Sequence, residues 1–217
     1  MARPKKSAAR DTRREILDRS LELFAQRGFT GSSMRDIAKA VGVRESALYH
    51  HFPNKDAILE ALLAENGPGQ VNMILSNELE SLVETLGPRQ FLSTFGDMAT
   101  QLWATPRERQ TLRLLMAEWP RLAAAGLFDL QAQIGRIRAR LSRLFAHLVT
   151  RGIVRSLDPE ATALHFMGPM MMIRIIHLAD LSRPPDLAAM RRDLTLHLEG
   201  FWDSVKPLPS PPRRRRS

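Results

Sequence analysis

Apolar positions along the chain recur at intervals of three and four residues, and no segment alternates with the period of a strand. Ile16, Leu17, Leu21 and Phe24 fall on one helical face. Thr12-x-x-Glu15 before them is a capping-box pattern, and Gly28 is a stop, so the spacing predicts a helix over 12–27. Ser33 can cap a second helix, with Asp36 three residues on. Ile37, Ala38 and Val41 form its apolar face and Gly42 ends it, giving 34–41. A third short helix is expected over 44–51, stopped by Pro53. Asn54 can cap a fourth that begins near Lys55. Longer periodic segments follow at 71–86, 88–104, 107–119, 127–151, 159–180 and 186–204. They are punctuated by Gly87-Pro88, Pro106, Pro120, Gly152, Pro159 and Pro184-Pro185. The fold class this predicts is all-α. A three-helix N-terminal unit would be followed by a helical domain with enough apolar faces for a common core.

The third helix is the odd one. Arg44, Glu45, Ser46, Tyr49, His50 and His51 make it too polar for a core element, and only Ala47, Leu48 and the flanking Val43 and Phe52 look buried. Two short helices joined at Gly42, the second showing hydrogen-bonding side chains to solvent, have the geometry of a helix-turn-helix that reads a DNA groove. On pattern alone a plain helical hairpin remains open.

Composition narrows the function. With 44% hydrophobic and 25% charged residues, the chain as a whole is not disordered. It has no cysteine, which excludes a disulfide framework, a Cys-ligated zinc and a Cys nucleophile, and fits a reducing compartment such as the cytoplasm. It has no apolar run long enough to span a membrane. Its basic start lacks the apolar stretch of a secretory signal. The net charge of +9 sits entirely at the two ends, in Arg3, Lys5, Lys6, Arg10, Arg13 and Arg14 against Asp11, and in Arg213 to Arg216. Basic ends favour polyanions, although they can equally be merely solvated. No G-x-S-x-G, H-E-x-x-H, P-loop or G-x-G-x-x-G occurs, so neither an enzyme nor a bound cofactor is expected. The methionines alone, without Cys or a close His cluster, make a poor metal site.

The run Gly28-Phe29-Thr30, Ser33 to Ala38, Gly42-Val43 and Ala47 to Asp56 closely resembles the DNA-binding domain of the tetracycline-repressor-like (TetR) family over about residues 12–60. A looser likeness, in Leu114 to Pro120 and Arg151 to Pro159, points to one subgroup of that family's C-terminal domains. The resemblance implies a homodimer on a palindromic operator in double-stranded DNA, with a helical domain that binds a small-molecule effector. It implies a transcriptional regulator, most often a repressor. The alternative is an activator or an architectural DNA-binding protein with no effector. The implied organisation is a basic disordered arm over 1–11, the helix-turn-helix domain over 12–60, the effector and dimerisation domain over 61–206, and a disordered Pro/Arg-rich tail over 207–217.

The residue types suit these roles. Thr30 and Ser33 at the start of the second helix, Lys55 at the start of the fourth, and the Tyr49 hydroxyl are expected on phosphates. Base reading falls to Arg35, Glu45, Ser46, Ala47 and His50, by guanine, cytosine and thymine-methyl contacts. Arg44 stands where the family commonly has a capping Ser, and could reach a phosphate. Glu45 either makes a specific base contact or weakens nonspecific binding.

In the C-terminal part, Asn66-Gly67-Pro68-Gly69 should break or bend the link between domains. The last two long helices are the dimer candidates, through Leu164, Met167, Met171, Ile175 and Leu178 on one and Leu187, Met190, Leu194, Leu198 and Phe201 on the other. Phe95, Met98, Trp103, Met116, Trp119, Met170 and Arg174 are candidate ligand-binding residues, a set that suits a lipophilic or aromatic molecule. The same residues could also be ordinary core.

Overall fold

The computed structural model describes residues 6–66, 79–126 and 129–208, with side chains from residue 11 onward and without that of Asn66. Among these, ten helices and no strand occur. They are α1 (Lys6–Arg27), α2 (Met34–Val41), α3 (Glu45–Tyr49), α4 (Lys55–Asn66), α5 (Leu79–Leu86), α6 (Pro88–Trp103), α7 (Pro106–Ala124), α8 (Leu130–Thr150), α9 (Pro159–Leu178) and α10 (Leu187–Val205). No described helix is long and apolar enough to cross a membrane. The expected break at Gly67-Pro68, and residues 209–217 of the expected tail, lie outside the described residues.

Local signals set most boundaries. Ser33 and Asp36 form a complete capping box at α2, and Gly42 ends it at φ 78° in the left-handed region. Asn54 accepts the Ala57 amide at 2.8 Å. Asp129, Asp158 and Asp186 cap α8, α9 and α10 in the same way. Two boundaries differ from expectation. α1 begins at Lys6, so residues 6–11 of the expected disordered arm are helical. Ser7-Ala8-Ala9-Arg10 contains no breaker, and the helix simply runs through the Thr12 capping pattern. α7 continues through Pro120, the expected stop. Its next residues explain the cost: Leu122 is fully buried and Arg121 is ion-paired.

The helices build two cores. The upper one gathers apolar side chains of α5, α6, α8, α9 and α10, with Leu112 of α7. The lower one gathers Ile16, Leu17, Leu21 and Phe24 of α1, Ile37 and Ala38 of α2, Leu48 of α3 and four aliphatic residues of α4. It also takes Leu114 and Leu122 from α7. The N-terminal unit therefore does not close on itself. α7 lies between the two cores and contributes to both.

The expected dimer stripe on the last helix is corrected. Met190, Leu194, Leu198 and Phe201 are buried within the chain itself, as is Leu178 of α9. Their periodicity reflects packing against α6 and α9, where Leu198 comes so close to Gly96 that an added Cβ would lie 2.8 Å from its Cδ1. Of the expected stripes Leu164 of α9 and Leu187 of α10 do stay exposed, and Met172 and Ile176 of α9 and Leu196 of α10, outside those stripes, are exposed as well.

Because Leu122 fills a site shared by two domains, Leu122→Ala should cost about 2–5 kcal/mol of stability, as for other fully buried leucines. Denaturant unfolding followed by circular dichroism measures it. A loss below about 1 kcal/mol would mean the lower core closes without α7.

Candidate nucleic-acid interface

The turn before α2 is unusually well tied down. Phe29 is buried, with the Phe24 ring centroid 5.1 Å away. The Lys55 ammonium lies 4.2 Å from the Phe29 ring centre and the Arg121 guanidinium 3.9 Å from it. Lys55 Nζ also donates to the carbonyl oxygens of Phe29 at 2.7 Å and Ser32 at 2.6 Å. The Phe29 N–H donates to Glu118 Oε1 at 3.4 Å, and Arg121 bridges Glu118 at 3.0 Å and Asp56 at 3.1 Å. Two residues of α7 thus hold the turn that aims α2 and α3.

The frame of α3 is equally fixed. Leu48 and Phe52 are buried, and the Arg13 guanidinium stands 5.1 Å from the Phe52 ring while pairing with Glu65. Outward from this frame Arg44, Glu45, Ser46, Tyr49 and His50 are exposed, Ala47 is half-buried, and Arg35 of α2 is exposed. Arg44 occupies the N-cap position without a side-chain cap bond. Glu45, Ser46, Tyr49 and His50 have the i, i+1, i+4, i+5 spacing of one helix face. Arginine, carboxylate, hydroxyl and imidazole on one exposed face can donate to and accept from base edges.

Two of the residues expected on phosphates also make contacts within the chain. The Lys55 ammonium is half-buried and committed to two backbone carbonyls, and burial holds its pKa below the usual lysine range. Ser33 gives its hydroxyl proton to Asp36 at 2.5 Å and accepts the Asp36 amide at 3.1 Å. These hydrogen bonds from Ser33, from its side chain first and its backbone second, hold the Asp36 carboxyl below its ordinary range. Both side chains build the turn. Thr30 remains exposed at the start of α2. In the sequence neither Glu118, a polar group that could orient a ligand, nor Arg121 shows a part in holding this turn, because both lie in a different domain from it. Their only local mark is an acid-base pair at i, i+3.

The candidate ligand residues do not share one pocket. Met98 and Met116 are about half exposed, at 48% and 49%, because α6 and α7 bury other faces. Trp103 and Met170 are core. Phe95 lines an apolar cavity among α5, α6, α8, α9 and α10 that holds about 30 Å³, room for one water-sized body. Arg174 is buried and pairs with buried Glu108 at 2.8 Å, its guanidinium 5.5 Å from the Trp103 ring centre. Burial pushes Glu108 up and Arg174 down, and each is opposed by the other's charge. Trp119 is half-buried against the lower core and lines an open cleft with residues of α8. Among the described residues no cluster suited to a metal occurs.

Comparison with known proteins places this geometry. A family model described as bacterial regulatory proteins of the tetR family matches residues 16–62. A second, for the C-terminal domain of AefR-like transcriptional repressors, matches residues 90–191. The regulator AcrR of Shigella flexneri is 40% identical over 75 residues, 34% of this chain and 35% of AcrR. The repressor KstR2 of Rhodococcus jostii is 43% identical over 51 residues, 24% of this chain and 25% of its own length. These alignments thus span about a third or less of the curated relatives. A putative TetR-family regulator from Mesorhizobium loti superposes with a TM-score of 0.73 at 22% identity, covering 91% of this chain and 98% of that one.

Lys55→Met tests the assignment of this side chain to the turn. It should lower stability by about 1–3 kcal/mol through two lost charge-assisted hydrogen bonds. It should weaken DNA binding without changing the slope of log affinity against log salt. A slope reduced by about one would place Lys55 on a phosphate instead. With both of its domains matched by family models and its whole fold superposing on a family structure, the chain belongs to the TetR family of bacterial regulatory proteins.

Proposed function

We propose that this chain is a transcriptional repressor that binds a palindromic operator as a homodimer, in the cytoplasm, and is released by a small molecule with a lipophilic or aromatic body. The observation that carries this reading is the exposed face of α2 and α3, bearing Arg35, Arg44, Glu45, Ser46, Tyr49 and His50 on a frame fixed by Phe29, Leu48 and Phe52. Curated relatives named as a repressor and as a negative regulator favour repression over activation.

One such face makes too few base contacts to select a site in a genome. Two of them, about one DNA turn apart (~34–36 Å), multiply the discrimination. The surface that joins two copies is the outer face of α9 and α10. There His165, Pro169, Met172 and Ile176 follow the i, i+4, i+7, i+11 spacing of a helix-pairing stripe. Contacts from His177 to Asp193 at 2.7 Å and from the His165 ring to that of His197, 6.4 Å between centroids, bring the α10 stripe of Asp193, Leu196 and Gly200 beside it. Leu196 is 74% exposed and Ile176 66%, and large aliphatic side chains left so open on the outer faces of two packed helices suit an association surface.

Met172→Glu with Ile176→Glu tests the joint. Both side chains point away from the core, so the variant should fold and sediment as a monomer, and operator affinity should fall by at least about a hundredfold. A variant that stays dimeric and binds normally places the interface elsewhere. The division of labour within the reading face has its own test. Arg35→Ala or Glu45→Ala should relax preference at one operator position by about 1–3 kcal/mol, and Tyr49→Phe should weaken all sequences alike. Uniform losses from all three would refute it.

A further inference from the structure

Three cavities among the described residues differ in how well they suit an effector. The apolar interior of the upper core, with room for about 30 Å³, is an order of magnitude too small for a ligand of even modest size. The groove between α6 and α10 holds about 460 Å³, but its Arg191 and Asp97 already pair at 3.1 Å. None of its lining residues belongs to the lower core or packs on it. The cleft at the end of α7 is different. It holds about 370 Å³ and is lined by Trp119 of α7, by Leu130, Gln131, Ile134, Gly135 and Arg138 along one face of α8, and by Leu164 of α9.

We propose that this cleft, between Trp119, Gly135 and Arg138, is a binding site for a small aromatic anion: a flat apolar body carrying a carboxylate or sulfonate. This deepens the ligand-responsive reading given above and rests on it. The indole of Trp119 forms one wall, and Leu130, Ile134 and Leu164 add aliphatic surface, which suits a ring. A Cβ at Gly135 would meet nothing within 4 Å, so that stretch of wall is open because the glycine has no side chain. Arg138 is exposed and makes no ion pair among the described residues, so its charge is free for an anionic group, with the Gln131 amide as a second polar partner.

The position also explains how an occupant would act. Trp119 and Leu130 pack on the lower core, and Glu118, next to Trp119, accepts the Phe29 amide at the turn before α2. A ring wedged against Trp119 would press on the last turns of α7, which hold that turn. The aim of α2 and α3 would change without any contact between ligand and DNA.

The probe pair that tests this is anilinonaphthalene sulfonate and its uncharged parent, phenylnaphthylamine, titrated into the full chain. Bound sulfonate should quench indole emission, and Trp119→Phe should remove most of that quenching while Trp103 and Trp202 remain. Gly135→Leu, which fills the cleft and suits a helix, should weaken both probes by at least about tenfold. Arg138→Gln should weaken the sulfonate by a similar factor and leave the neutral probe unchanged. Binding indifferent to Gly135→Leu, or a probe pair affected equally by Arg138→Gln, overturns the site. So does a Gly135→Leu variant that changes the sedimentation of the dimer but not probe binding, because the cleft would then belong to the interface between copies. Operator affinity measured with saturating sulfonate separates the two readings. Cleft binding with no loss of operator affinity leaves the site standing and removes the ligand-responsive function.

Discussion

A unit of about fifty residues buries too little surface to hold its helices firmly, and in this protein the missing part is supplied from elsewhere in the sequence. α7 lends Leu114 and Leu122 to the core of the reading head, and its Glu118 and Arg121 grip the turn at Phe29. The rest of the molecule depends on that loan. The orientation of α3 follows from Leu48 and Phe52 seated in this core. The turn that starts α2 follows from Phe29, held between Lys55 and Arg121. The backbone that carries the exposed residues of α2 and α3 is thereby held by packing and by cation contacts from two other helices.

The other end of α7 is anchored just as specifically. Three consecutive residues reach three different places: Arg107 pairs with Asp18 of α1, Glu108 with Arg174 of α9, and Arg109 donates to the carbonyls of Asp180 and Arg183 beyond α9. The Glu108–Arg174 pair is buried and leaves Glu108 Oε1 and Arg174 Nε without hydrogen-bond partners among the described residues. Such a pair adds little net stability, since desolvation offsets its attraction, but losing one partner strands a buried charge. Its effect is to fix register. α9, which carries the outer apolar face, and α1, at the base of the reading head, are both keyed to one turn of α7. Both are thereby joined through side-chain pairs to a single helix.

Much of this was legible in the sequence where the determinants are local. Ser33, Asp36 and Gly42 announce α2 at both ends, and the polar residues of α3 around buried Leu48 mark it as no core element. What was not legible depends on distant partners. Nothing near Lys55 in the sequence shows that its ammonium meets the carbonyls of Phe29 and Ser32. The periodicity of Met190, Leu194, Leu198 and Phe201 shows that a face is buried but not whether its own chain or a second copy buries it. Pro120 reads as a stop because the burial of Leu122 two residues later, against helices from the other domain, has no local trace. Met98 and Met116 have the right chemistry for a ligand box, but their helices turn other faces inward.

The central claim is that α7 is structurally part of the reading head as well as of the helical domain. Amide hydrogen exchange on the full chain carrying Ile58→Ala, a lesion wholly within the lower core, tests it most directly. The account predicts that residues 114–122 of α7 lose protection together with α1 and α4, while α10 keeps its own. Loss of protection confined to α1 through α4, with α7 as protected as α10, would contradict it.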